Sequence, residues 1–124
     1  MKKVLLLLCC LPFLMASTCE DSPQDDIFCT TEARAGLNVQ VRLAGSSTFE
    51  TTGISVIATD GSYTEPLTFY IGSTIFSGAY ERQGTYIITV SKPGYVTYTS
   101  LPITVTADEC HVISQNLLVE LQPI

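Results

Sequence analysis

Gly84-Thr85-Tyr86-Ile87-Ile88-Thr89-Val90-Ser91-Lys92-Pro93-Gly94-Tyr95 is the stretch whose reading decides the fold. Tyr86, Ile88 and Val90 alternate with Thr85, Ile87 and Thr89, a period of two in which only Ile87 spoils the polar side. That is the signature of a strand with one face buried and one wet. The strand must stop at Pro93, which has no N–H to donate to a ladder. Gly94 can then supply a positive φ for the turn, and Tyr95 packs back.

Working outward, the same alternation appears in Leu37, Val39, Val41 and Leu43 against Asn38, Gln40 and Arg42. It returns in Ile103 and Val105 between Thr104 and Thr106, and in Ile113, Gln115, Leu117, Val119 and Leu121. Ile54 to Thr59, Tyr63 to Ile71 and Ile75 to Tyr80 are rich in β-branched and aromatic residues but carry apolar side chains on both parities. Turn clusters separate the runs at Gly45-Ser46-Ser47, Asp60-Gly61-Ser62, Gly72-Ser73, Gln83-Gly84, Lys92-Pro93-Gly94 and Ala107-Asp108-Glu109. Asp60-Gly61 is the best local hairpin signal. No window has sustained helical spacing and no repeat is visible. The expectation is an all-β domain: a single antiparallel β-sandwich of about seven strands with little or no helix.

The chain has 124 residues, enough for one core. Its 6 Lys and Arg against 12 Asp and Glu give a net charge of -6, so it lacks the basic surface that neutralises phosphates, and nucleic acid is excluded as a partner. Met1-Lys2-Lys3, the apolar run Val4 to Met15 and the small residues Ala16-Ser17-Thr18 follow the order of a bacterial secretion signal. The apolar run is shorter than the roughly 20 residues that span a bilayer. Ala16-Ser17-Thr18-Cys19 resembles a lipobox, with Ala16 where Leu is usual and Thr18 where Gly or Ala is usual. Ordinary cleavage near Thr18 is the alternative and would leave Cys19 a stray thiol. The expected organisation is a lipoprotein-type signal peptide over 1–18, an acidic tether over 19–28 and a folded domain over 29–124. Cys9 and Cys10 read as leader residues. Glu20 to Asp26 holds four acids and a proline and reads as a solvated spacer, and the same composition resembles a surface-export signal of Bacteroidetes-like lipoproteins. The expected location is the cell envelope, at the outer membrane or cell surface, with lipidated Cys19 in the membrane.

With Cys19 taken by lipid, Cys29 and Cys110 are an even pair in an oxidising compartment, which favours a disulfide. Free or metal-bound thiols are the competing reading; Cys110-His111 is a bare dipeptide with no second close ligand pair. Ring closure over 81 positions is worth about 4.5 kcal/mol in the chain-entropy model.

The Gly84 to Tyr95 stretch resembles the G-x-Y-x-V-x-V-x-x-P-G-Y segment of carboxypeptidase regulatory-like domains, the transthyretin-like sandwiches. Leu37-Asn38-Val39-Gln40-Val41 with Ile54-Ser55-Val56 resembles their opening strands, and the likeness runs roughly from Gly36 to Leu121. It implies an accessory or binding module of exported proteins without catalytic residues. Cys29-Thr30-Thr31-Glu32-Ala33 and Asp108-Glu109-Cys110-His111-Val112 are similar to a stand-alone bacterial lipoprotein subgroup.

Catalytic chemistry finds few supports. His111, the only histidine, sits before the last strand and reads as a structural residue partly against the core. There is no G-x-S-x-G elbow, no D-x-D-x-D-G calcium loop and no phosphate-binding glycine pattern. A transthyretin-like hydrolase of the ureide pathway is similar in fold, but its several His and Arg residues and Tyr-Arg-Gly-Ser tail have no counterpart here. Asp108-Glu109 and Asp60 could meet around a cation, but they read better as solvated turn charges. Tyr63, Phe69, Tyr70, Phe76 and Tyr80 cluster in the middle strands, and Tyr63, Tyr70 and Tyr80 are the candidate binding surface for a sugar ring or a protein. The sequence therefore points to a non-catalytic, membrane-anchored lipoprotein acting as a structural or protein-interaction module, with an unidentified protein partner and no cofactor or metal. A carbohydrate-binding module and an unrecognised hydrolase are the alternatives.

Overall fold

The computed structural model describes residues 27–124. The expected leader with Cys9 and Cys10, the expected lipobox with Cys19 and the acids from Glu20 to Asp26 lie outside the described residues. Eight strands form, and no helix occurs among the described residues: β1 (Ala35–Leu43), β2 (Ser55–Asp60), β3 (Tyr63–Pro66), β4 (Phe76–Tyr80), β5 (Gly84–Ser91), β6 (Tyr98–Thr99), β7 (Ile103–Val105) and β8 (Gln115–Leu121). One sheet has the order β4-β1-β8. The other has the order β3-β2-β5-β6, with β7 also paired to β5. The all-β sandwich is thus the observed architecture.

The alternating residues of the sequence make the core. Leu37, Val39, Val41, Val119 and Leu121 from one sheet meet Val56, Ala58, Tyr86, Ile88 and Val90 from the other, all buried. Burying each such side chain contributes roughly 1.5 to 3 kcal/mol, which is the main force closing the two sheets. Tyr86 is fully buried, and its hydroxyl donates to the Arg82 carbonyl at 2.9 Å, so the polar tip is satisfied. The bond reaches back to the backbone four residues upstream and ties the turn before β5 to the core.

One pairing departs from the antiparallel expectation. β1 and β8 run parallel from Leu37↔Gln115 to Leu43↔Leu121, while the remaining strand pairs are antiparallel. Antiparallel neighbours can be joined by short hairpins, but parallel ones need a long crossover. Here almost the whole domain is the connection.

The turns act as their residues require. β2 and β3 meet across Asp60↔Tyr63, with Gly61 at φ 62°. Lys92-Pro93-Gly94-Tyr95 closes with Tyr95 N donating to the Lys92 carbonyl at 3.0 Å, Gly94 taking φ 87°. The apolar run Tyr63 to Ile71 is not one strand. Past Pro66, Leu67 N donates to Val56 O in one sheet, and Thr68 exchanges two hydrogen bonds with Ser77 in the other. Only the odd positions Tyr63, Glu65 and Leu67 turn inward, while Phe69, Tyr70 and Ile71 are apolar residues exposed in the loop that follows, and these blur the alternation. Two short strands, β6 and β7, occupy one edge of β5. Between them Ser100 Oγ accepts from Ile88 N at 2.8 Å, filling the ladder where the edge breaks before Pro102.

Candidate functional site

Two places gather polar chemistry. The first is built where the chain enters the sandwich. Cys29 and Cys110 are joined by a disulfide, with Cα atoms 5.2 Å apart. Beside it, Thr30 Oγ1 lies 2.8 Å from His111 Nε2, and His111 Nδ1 lies 2.6 Å from Glu81 Oε2. An ionised carboxylate only accepts, so Nδ1 carries a proton. The Thr30 hydroxyl, both donor and acceptor, can pair with Nε2 whether or not that nitrogen carries a proton. His111 is 8% exposed, and its ring is thereby satisfied on both sides.

Glu81 is the centre of this clamp. Arg34 N donates to its Oε2 at 2.9 Å and Val112 N to its Oε1 at 3.1 Å, while Glu81 N donates back to the Arg34 carbonyl at 2.9 Å. Glu81 holds φ 51°, a left-handed conformation costly for a residue with a Cβ. The surrounding bonds fix it there. The Arg34 amide and then the His111 ring hold the Glu81 carboxyl below its ordinary value. On the facing turn, Asp108 Oδ1 accepts from His111 N at 2.9 Å and Cys110 N at 2.8 Å, and these amides lower its carboxyl in the same way. Asp108 is thus used by its own turn and Asp60 by Arg82. Among the described residues no three His, Cys, Asp or Glu side chains stand together as metal ligands.

The burial of His111 comes with a slip in phase. Val112 is buried and Ile113 exposed, because 107–112 folds as a turn bridged at Ala107↔Val112. The alternation of the last strand begins only at β8.

The expected tyrosine surface is divided. Tyr63 is committed within the protein: Arg82 sits 3.6 Å above its ring, and its hydroxyl donates to Glu65 Oε1 at 2.7 Å. That Glu65 bond, with partial burial, raises the Tyr63 phenol. Arg82 Nη1 also donates to Asp60 Oδ2 at 3.1 Å and to Tyr86 Oη at 2.9 Å, so this end of the β2–β3 hairpin is a closed polar network. Tyr70 and Tyr80 do come together. The nearby Tyr70 hydroxyl and then burial raise the Tyr80 phenol. Phe69 packs edge-on against buried Phe76, ring centroids 5.1 Å apart. The loop between them turns at Tyr70, where Ser73 N donates to the Tyr70 carbonyl at 2.9 Å and Gly72 has φ 89°. Tyr70 is 73% exposed and Ile71 stands wholly in solvent.

The second place is the outer face of β4-β1-β8, where Asn38, Gln40 and Asn116 face a groove flanked by Tyr70 and Leu118. Sequence reading assigned Asn38 and Gln40 only to a wet strand face and singled out neither Asn116 nor the clamp residues Thr30 and Glu81. The period-two parity places the first two outward, but only the β1–β8 register brings Asn116 beside them.

Comparison with protein-family models, with curated proteins and with solved structures returned no match to this chain.

Proposed function

We propose that this chain is an exported lipoprotein of the cell envelope, held by an acylated Cys19, whose transthyretin-like, carboxypeptidase regulatory-like sandwich is a non-catalytic structural or protein-interaction module. The observation that carries the reading is the disulfide between Cys29 and Cys110. Such a bond persists in an oxidising compartment, and it fastens the chain just where the acidic spacer would meet the fold. The leader and Cys19 supply the export and the anchor. Metabolic labelling with a palmitate analogue tests it: label in the wild type and none in Cys19→Ala is expected, and equal labelling removes the anchor.

A hydrolase is the rival with a specific observation in its favour. Glu81, His111 and Thr30 have the carboxylate–imidazole–hydroxyl connectivity of a nucleophilic triad. The same three residues are fully accounted for as a clamp, and none of them lines the groove on the β4-β1-β8 face. Turnover of a panel of activated esters that disappears in Thr30→Val would favour the enzyme over the module.

A further inference from the structure

The groove on the outer face of β4-β1-β8 has a volume of about 250 Å³. Its lining is uncharged, with amide and hydroxyl groups set among Ile75, Leu117 and Leu118. Asn38 and Asn116 are Cα partners in the parallel ladder, and the next outward pair is Gln40 with Leu118. Two amides therefore stand side by side with a third one step along. No Asp, Glu, Lys, Arg or His lines the groove, in a chain that carries a net charge of -6. An ionic ligand finds nothing there to pair with.

The amides are also set in advance. Ser77 Oγ donates to Asn38 Oδ1 at 2.7 Å, which leaves the two Nδ2 donors of Asn38 for a ligand. Gln40 Nε2 donates to Thr74 Oγ1 at 3.3 Å, which leaves Gln40 Oε1 as an acceptor. Asn116 is exposed and makes no side-chain hydrogen bond among the described residues, so it offers both kinds. A hydroxyl group is itself donor and acceptor, and a ring bearing several of them matches a floor of alternating amide donors and acceptors. Tyr70 adds an exposed aromatic face for the C–H side of such a ring. We propose that this groove binds a neutral oligosaccharide, with one sugar ring over Asn38, Gln40 and Asn116 against Tyr70. The volume falls just under the roughly 300 Å³ at which sites for drug-sized ligands begin. One ring is held, and its neighbours run on along the sheet. This goes beyond the anchored module and does not depend on it, since no residue of the groove precedes Asn38.

The test uses the full chain solubilised in detergent, applied to an array of charged and uncharged glycans, followed by calorimetric titration of the best ligand. Binding to uncharged oligosaccharides is expected. Asn116→Ala and Tyr70→Ala should each weaken it roughly tenfold, the scale of one lost hydrogen bond or stacked ring, with circular dichroism unchanged. Thr85→Ala, on the other sheet, should bind as the wild type. The proposal is overturned by an array without hits, by hits confined to charged glycans, or by affinity that both variants retain. It is also overturned if the only effect of Tyr70→Ala is to abolish self-association, because the face would then be a protein contact.

Discussion

The entry clamp and the loop around Tyr70 are opposite solutions to the problem of holding irregular chain against a sandwich. At the clamp, residues 29–34 are bound by a covalent bond, the Thr30–His111–Glu81 chain and a reciprocal backbone and side-chain exchange between Arg34 and Glu81. Around Tyr70, Phe69 docks on Phe76 and one turn closes, while Tyr70 and Ile71 stay in solvent. One segment is over-determined and the other is left open. Many bonds on a segment restrict it to one arrangement, and few bonds leave apolar and aromatic surface available to a ligand.

The contrast can be broken most violently at the clamp. Replacing Cys29 and Cys110 together by Ser should cost about 4.5 kcal/mol and lower Tm by on the order of 20 °C in scanning calorimetry. A fall of only a few degrees would mean that the polar partners alone hold the segment. In the shared core, Ile88→Ala should cost about 3 kcal/mol in urea unfolding, and that loss belongs to neither segment. Next comes Gly84→Ala. A Cβ there would collide with Asp60 Oδ2 and crowd Arg82, so about 1 to 3 kcal/mol is expected from displacing the pair.

The two segments should also differ in acid. Glu81 and Asp108 titrate lower in the folded protein than unfolded, so their contribution is complete above the unfolded carboxylate pKa of about 4.3 and disappears as pH falls through their folded values. Stability should therefore be level near neutrality and drop below about pH 4.5. Glu81→Gln should flatten that drop without changing the response of the Tyr70 loop, as followed by hydrogen exchange at acid and neutral pH. The smallest effect is predicted for Asn116→Ala, which should shift stability by less than about 0.5 kcal/mol while weakening the proposed sugar binding roughly tenfold.

Much of the fold was legible because burial imposes parity. Leu37, Val39 and Val41, and likewise Tyr86, Ile88 and Val90, announce their inward faces in the sequence and are buried in the structure. β6 was not foreseen, because Tyr98–Thr99 is two residues long and its ladder is completed by the side chain of Ser100, which leaves no periodic trace. The parallel partnership of β1 with β8 was equally silent, since alternation fixes which face a residue takes and says nothing about which strand lies alongside. That silence hid the groove: Asn38 and Asn116 are 78 positions apart in the chain and meet only through register. The clamp was half visible. Cys29 and Cys110 followed from counting thiols, whereas Glu81 is an ordinary turn acid in sequence and gains its role from a left-handed backbone and from the amides it happens to face.

The sulfur bridge has a mechanical meaning as well. Tension applied to the chain ahead of Cys29 passes directly to Cys110, at the threshold of β8, so the 80 residues between them cannot be drawn out while the bridge is intact. Drawn at its leading end, the molecule would lengthen by little more than its last fourteen residues, and most of the sandwich would be shielded from the load.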